Sequence, residues 1–207
     1  ILTTFSQKKD VPAAVADIRS VLSAHSPRLV VFFASSIFPP QEIAAEMQAA
    51  FPAAKVIGCS TAGEIIPGQM LKNSVVAMAL DEEVFSELAI TVVEGLSGDV
   101  VPPTRAAFAD LEQALGIPMK ELPVEDYVGI VLADGLSGGE ERLMDAMGDL
   151  TNVIFVGGSA GDDMRFQATY VYANGRAYRN AAVLALTRPQ RGFDFIKTQS
   201  FCSLPRT

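Results

Sequence analysis

Residues 127–164, YVGIVLADGLSGGEERLMDAMGDLTNVIFVGGSAGDDM, repeat the layout of residues 29–65, LVVFFASSIFPPQEIAAEMQAAFPAAKVIGCSTAGEI, and that repetition decides the fold. In each stretch an apolar run leads to a turn marked by glycine or proline, then an amphipathic segment and a second apolar run. A small-residue turn ending in an acid closes both. Runs of that length and period read as strand, helix and strand. One such unit alone leaves both faces of its strands uncovered, so the repeat predicts two halves sharing one sheet. The closing turns, GCSTAGE (58–64) and GGSAGDD (157–163), become the candidate site.

Upstream of the first unit, Asp10 is placed to cap a helix over 11–24, with Val11, Val15, Ile18 and Leu22 on one face and Pro12 in its tolerant first turn. Pro27 ends it. The strand 29–34, the helix 41–50 behind Pro39 and Pro40, and the strand 56–59 follow. Segments 74–80 and 85–94, joined by Asp81-Glu82-Glu83, read as an antiparallel hairpin. A Gly/Pro/Ser/Asp-rich link at 95–103 precedes a helix over 104–115. The second unit is strand 127–133, helix 140–150 and strand 153–156. Segments 169–173 and 182–186 then read as a hairpin around Asn174-Gly175, the dipeptide that suits a tight two-residue turn. The expectation is an α/β fold: a mixed sheet with flanking helices, built from two duplicated β-α-β-β-β-like halves in a pseudo-twofold relation. Half 1 covers about 10–95 and half 2 about 103–190 of a single domain, 1–207.

With 207 residues the chain can bury a sizeable core without disulfides. Its mean hydropathy of +0.28 comes from short apolar runs, far below the roughly 20 residues of a membrane span, so no membrane partner is expected. The net charge of −8 and the lack of any basic cluster argue against nucleic acid. Two cysteines without a CxxC pattern point to a reducing, cytoplasmic setting, and the start at Ile1 rather than methionine reads as a trimmed terminus.

Catalytic readings of the turns fail on context. Gly157-Gly158-Ser159-Ala160-Gly161 matches a nucleophile elbow in letters, but that motif opens a helix and needs a later histidine. A strand-like run follows Ser159, and the single histidine, His25, precedes it. Cys59 ends a strand, a place that suits a thiol nucleophile, yet the matching position is Gly158 and no histidine is placed beside it. His25 sits at a helix end without partner ligands. Asp162, Asp163, Asp134 and Glu64 could offer oxygen to a divalent cation, but no known loop spacing is present, so no metal and no cofactor are expected. Ser137 before Glu140 reads as a helix cap. What remains is small, amide-rich turns beyond the carboxyl ends of strands, where sites of such sheets gather. Ser35, Ser36, Cys59, Ser60, Thr61, Gly63, Glu64, Asp134, Gly158, Ser159, Ala160, Gly161 and Asp162 are the expected ligand-binding residues. Cys59 against Gly158, and Glu64 against Asp162-Asp163, are the inequalities where selectivity would lie.

The two signatures, Gly58 to Ile65 and Gly157 to Asp163, together with LVVFFAS, Asp134-Gly135 and TYVYANGRAYRNAAVLAL, resemble the FIST domain over about 10–190, specifically its N-terminal part. The resemblance implies a non-catalytic sensory module of bacterial signal transduction. It would bind a small polar ligand such as an amino acid and work with a C-terminal FIST portion and a signalling output domain or histidine kinase. Residues 191–207 would lead into that absent C-terminal portion. Some relatives carry haem, but His25 lies outside both signatures. An enzyme using Ser159 or Cys59, and a protein-interaction scaffold, are the alternative readings.

Overall fold

The computed structural model describes residues 1–196. Its strands are β1 (Leu2–Ser6), β2 (Leu29–Ser35), β3 (Lys55–Thr61), β4 (Glu64–Ile66), β5 (Gln69–Leu71), β6 (Val75–Leu80), β7 (Phe85–Glu94), β8 (Val128–Ala133), β9 (Ile154–Ser159), β10 (Val171–Ala173), β11 (Arg176–Tyr178) and β12 (Ala181–Pro189). Four α-helices join them: α1 (Val11–Leu22), α2 (Pro40–Ala50), α3 (Val101–Leu115) and α4 (Glu140–Gly148). Asp10 caps α1 as expected, its carboxylate accepting the Ala13 amide at 3.1 Å. The helix closes at Leu22 and a short 3-10 turn, Ser23–His25, carries the chain on, so α1 is shorter than the expected 11–24. Gly116, at φ 72°, ends α3 in the left-handed conformation that glycine adopts without strain.

The α/β class holds, but the strands divide among three sheets instead of one. Six strands run in the order β1-β6-β2-β3-β10-β11, four in the order β7-β12-β8-β9, and β4 and β5 pair only with each other. The units β2-α2-β3 and β8-α4-β9 are parallel pairs bridged by a helix, one in each large sheet. Alternation along the strands shows why two sheets form. Val30, Phe32 and Ala34 pack on α1 and α2, while Leu29 and Val31 between them join Leu132, Val183 and Ala185 of the other sheet. Ala182, Leu184 and Leu186 face α3 and α4. Since successive side chains point to opposite faces, each sheet has one face on helices and one on its partner sheet. The result is four layers, helix, sheet, sheet and helix.

Two expected hairpins are corrected. Segments 74–80 and 85–94 do not pair. β6 is flanked by β1 and β2, leaving no edge for β7, which pairs with β12 in the other sheet. The acidic turn between them is the crossing from one sheet to the other. Asn174-Gly175 does make a tight turn, with φ 48° and 82°, but it joins β10 to β11. The 182–186 segment belongs to β12, between β7 and β8. The hairpin β10–β11 instead seats on the outer edge of β3 in the six-stranded sheet, with Tyr172 opposite Gly58.

Candidate functional site

The small-residue signatures are less loop-like than expected, since β3 runs on through Thr61 and β9 through Ser159. Only their last residues form turns. In the first signature, a Cβ on Gly58 would lie 2.1 Å from the Phe32 carbonyl oxygen, so only glycine is accommodated. Cys59 points into the core between the sheets, and burial pushes its thiol up to about 12. It stays protonated and shielded at neutral pH, which removes it as a nucleophile.

The two signatures meet. The Gly161 amide donates to the Ser60 carbonyl at 2.9 Å, and the Ser60 hydroxyl donates to the Gly161 carbonyl at 2.8 Å. The Tyr170 amide donates to the Ser60 hydroxyl at 3.0 Å. Ser60 is therefore buried and fully engaged in joining the segments. Glu64, also buried, accepts the Thr61 hydroxyl and both the amide and hydroxyl of Ser74. Ser35 pairs with Thr61 in the β2/β3 register and donates its amide to the Ser74 carbonyl at 2.9 Å. Gly63 belongs to the turn between β3 and β4. The Ser36 hydroxyl differs from these: it is buried and has no hydrogen-bond partner among the described residues.

On the other side, Asp134 is buried beyond the end of β8. It accepts the Leu136 amide at 3.0 Å, the Thr169 hydroxyl and the Asn180 amide. Ala160 donates its amide to the Ala133 carbonyl at 2.8 Å and packs in the inter-sheet core. The Asp162 carboxylate accepts the amides of Gln167 at 2.6 Å, Phe166 at 3.0 Å and Ala168 at 3.2 Å. Those amides, Gln167's foremost, hold its carboxyl below the usual range against the opposing pull of burial. The loop so gathered places Asp163, Met164 and Phe166 at φ 57°, 61° and 53°, each at a cost of roughly 1–2 kcal/mol for a side-chain-bearing residue. It holds Met164 and Phe166 out to solvent, at 76% and 74% exposure.

A pH dependence follows from Asp162. Its folded-state pKa is depressed, so its contribution is complete above the ordinary value of 3.8 and is lost as pH falls through the lower folded value. The urea midpoint of wild type should exceed that of Asp162→Asn at pH 7, and the gap should narrow at pH 3. A gap unchanged between the two would contradict the role given to the charge.

Gly158 and Ser159 lie apart from this joined cluster, on the exposed strand β9 at the edge of the four-stranded sheet. A Cβ on Gly157 would come 1.7 Å from the Val131 carbonyl oxygen, while Gly158 faces open space. The Ser159 hydroxyl donates to Glu140 Oε1 at 2.9 Å. Beside this pair opens a cavity of about 240 Å³ lined by Val131, Leu143, Met144, Phe155 and the strand residues 157–159. Glu140 makes no ion pair among the described residues. Glu140 was not among the expected site residues; the signal was its place in the first turn of the helix facing the second signature. A further cavity, about 470 Å³, lies between α1 and α2 and touches no signature residue.

Among the described residues no group of three or more His, Cys, Asp or Glu could hold a metal ion, and the carboxylates of Glu64, Asp134 and Asp162 are already filled by protein donors. None of the described helices is long and apolar enough to cross a membrane. Of the segment 191–207, expected to lead into a C-terminal portion, residues 197–207, Cys202 among them, lie outside the described residues. Among protein families, the model described as the FIST N domain matches residues 28–207. No curated protein matches the chain.

Proposed function

The chain belongs to the FIST N domain family, a sensory domain of signal-transduction proteins typically paired with a FIST C domain, and from that premise we propose that it binds an amino acid or similar small amine where β8, β9 and α4 converge. The observation that carries this is the cavity beside Ser159 and Glu140. Its wall is apolar and its rim holds one carboxylate without a cationic partner among the described residues, so an ammonium group finds Glu140 while a short apolar side chain lies on Val131, Leu143 and Phe155. No group there is arranged for chemistry: the one hydroxyl, Ser159, meets a carboxylate and no histidine, and the ligand is bound without being transformed. Just beyond β2, beside the first signature, the Ser36 hydroxyl is buried without a hydrogen-bond partner among the described residues.

The reading includes two duplicated halves in one domain. Its support is the strand order, β1-β6-β2-β3 in one sheet and β7-β12-β8-β9 in the other, with the same senses of pairing. Ligand binding to the form it prefers shifts the population and so signals to a FIST C portion and an output domain.

Thermal denaturation in the presence of each amino acid in turn tests the ligand. A ligand at 100 times its Kd stabilises by about 2.7 kcal/mol and raises the Tm. Glu140→Gln alters a part-buried and Ser159→Ala an exposed side chain, neither in the core, so each should change the Tm of the free chain little and abolish the rise. No rise with any amino acid or simple amine, or a rise undiminished in Glu140→Gln, would overturn the assignment.

A further inference from the structure

The structure assigns the outer edge of β9, with the cavity beside it, to an antiparallel strand of the FIST C portion that carries a large apolar side chain opposite Gly157. The assignment rests on the duplication and the ligand site proposed above, and it names the partner that reads that site.

The template is in the chain itself. In the six-stranded sheet the outer edge of β3 is closed by β10, in the register Val171 to Cys59, Tyr172 to Gly58 and Ala173 to Ile57. Gly58, which has no room for a Cβ, lies across from Phe32, and the Tyr172 ring stacks on Phe32 with centroids 5.0 Å apart and planes 11° from parallel. Tyr172 is 2% exposed, packed under α2.

In the four-stranded sheet the same parts are present and the strand is missing. Gly157 lies across from Val131 as Gly58 does from Phe32, again with no space for a Cβ. Where the template holds Tyr172 there is instead the cavity of about 240 Å³, with Leu143 and Met144 of α4 as its roof. On its outer side β9 has no strand among the described residues, and Ile154 and Val156 are 38% and 45% exposed. An open edge backed by apolar side chains is a template for strand addition. The hairpin that follows β3 in the chain does not supply it, since β4 and β5 pair only with each other.

The occupant follows from these features. Its strand runs antiparallel to β9, an aromatic or long aliphatic residue enters the cavity, and a neighbouring lysine or arginine meets Glu140 on the rim, in keeping with a chain of net charge −8. A FIST C portion is the partner with which such domains are typically paired. The strand's side chain and the amino acid occupy one cavity, so each excludes the other and ligand binding reaches the partner as release of the strand.

The experiment mixes the 207-residue chain with a separately purified FIST C portion of a FIST protein. Amide exchange of residues 154–159 should slow at least about tenfold in the mixture, and Ile154→Asp, outside the cavity lining, should weaken binding by about tenfold or more. Ile154→Asp should leave the thermal response to amino acids intact, whereas Glu140→Gln should lose that response, so failure of the strand and failure of the ligand site are told apart. An amino acid that raises the Tm should also restore fast exchange. No complex, a complex with β9 exchanging as in the free chain, or protection of β9 by a second copy of the chain alone would each overturn the proposal.

Discussion

Alanine in place of Asp134 is expected to lower the free energy of unfolding by about 3–5 kcal/mol. The carboxylate is 4% exposed and receives three donors, the Leu136 amide, the Thr169 hydroxyl and the Asn180 amide. Removing it strands the buried Thr169 hydroxyl and unpairs the part-buried Asn180 amide, while the Leu136 amide keeps only the Thr169 oxygen; each unsatisfied buried group costs about 1–3 kcal/mol. The three donors come from the turn after β8, the approach to β10 and the turn before β12, so one side chain ties together segments that bring the second half to the first. Asp134→Asn, which keeps one carbonyl acceptor but presents an amide N–H to a donor, should cost less than alanine yet remain well above zero. Urea unfolding followed by circular dichroism gives both values. A loss below about 1 kcal/mol for alanine, with an unchanged m-value, would show that the network is dispensable.

Tyr172→Ala should cost a comparable amount, about 3–5 kcal/mol, as large aromatic truncations in cores do. The ring is almost completely buried, stacked on Phe32 above a glycine that cannot be enlarged to fill the space. Part of the loss is the cavity itself, and about 0.5–1.5 kcal/mol is the ring pair. Tyr172→Phe keeps the ring and should stay within about 1 kcal/mol of wild type. Because β10 is only three residues long, losing its anchor should free the whole hairpin, and amides on the outer edge of β3 should exchange faster than the rest of that sheet. Uniform exchange across the sheet would show that the backbone ladder alone holds the hairpin.

The strand-helix-strand units were legible because they are local. Continuous apolar runs such as 29–34, an acidic cap at Asp10 and a proline pair before α2 act over a few residues, and the structure follows them closely. The partition into two sheets was not legible, because pairing is decided by distant partners. β6 and β7 are both apolar and adjacent in sequence, and nothing within either says that one will sit between β1 and β2 while the other crosses to β12. At the candidate site, residue type identified polar groups but not their engagement. Ser60, Glu64 and Asp162 read as free to meet a ligand, yet each is filled by donors or acceptors of the protein. Glu140 read only as the start of a helix and proved to be the carboxylate on the cavity rim. The family resemblance found in the paired signatures holds over residues 28–207.

The seat of β10–β11 on β3 also sets a timetable. The hairpin is encoded more than a hundred residues after the strand it closes, so a growing polypeptide leaves the ribosome with β3 open and the slot for Tyr172 unfilled. At a synthesis rate of about 5–20 residues/s that interval lasts roughly 5–20 s. During it Phe32 lacks the ring that later stacks on it, and an uncapped strand stands ready to pair with a neighbouring nascent chain. The first hundred residues therefore cannot mature as an independent unit. They wait for the hairpin at residues 171–178.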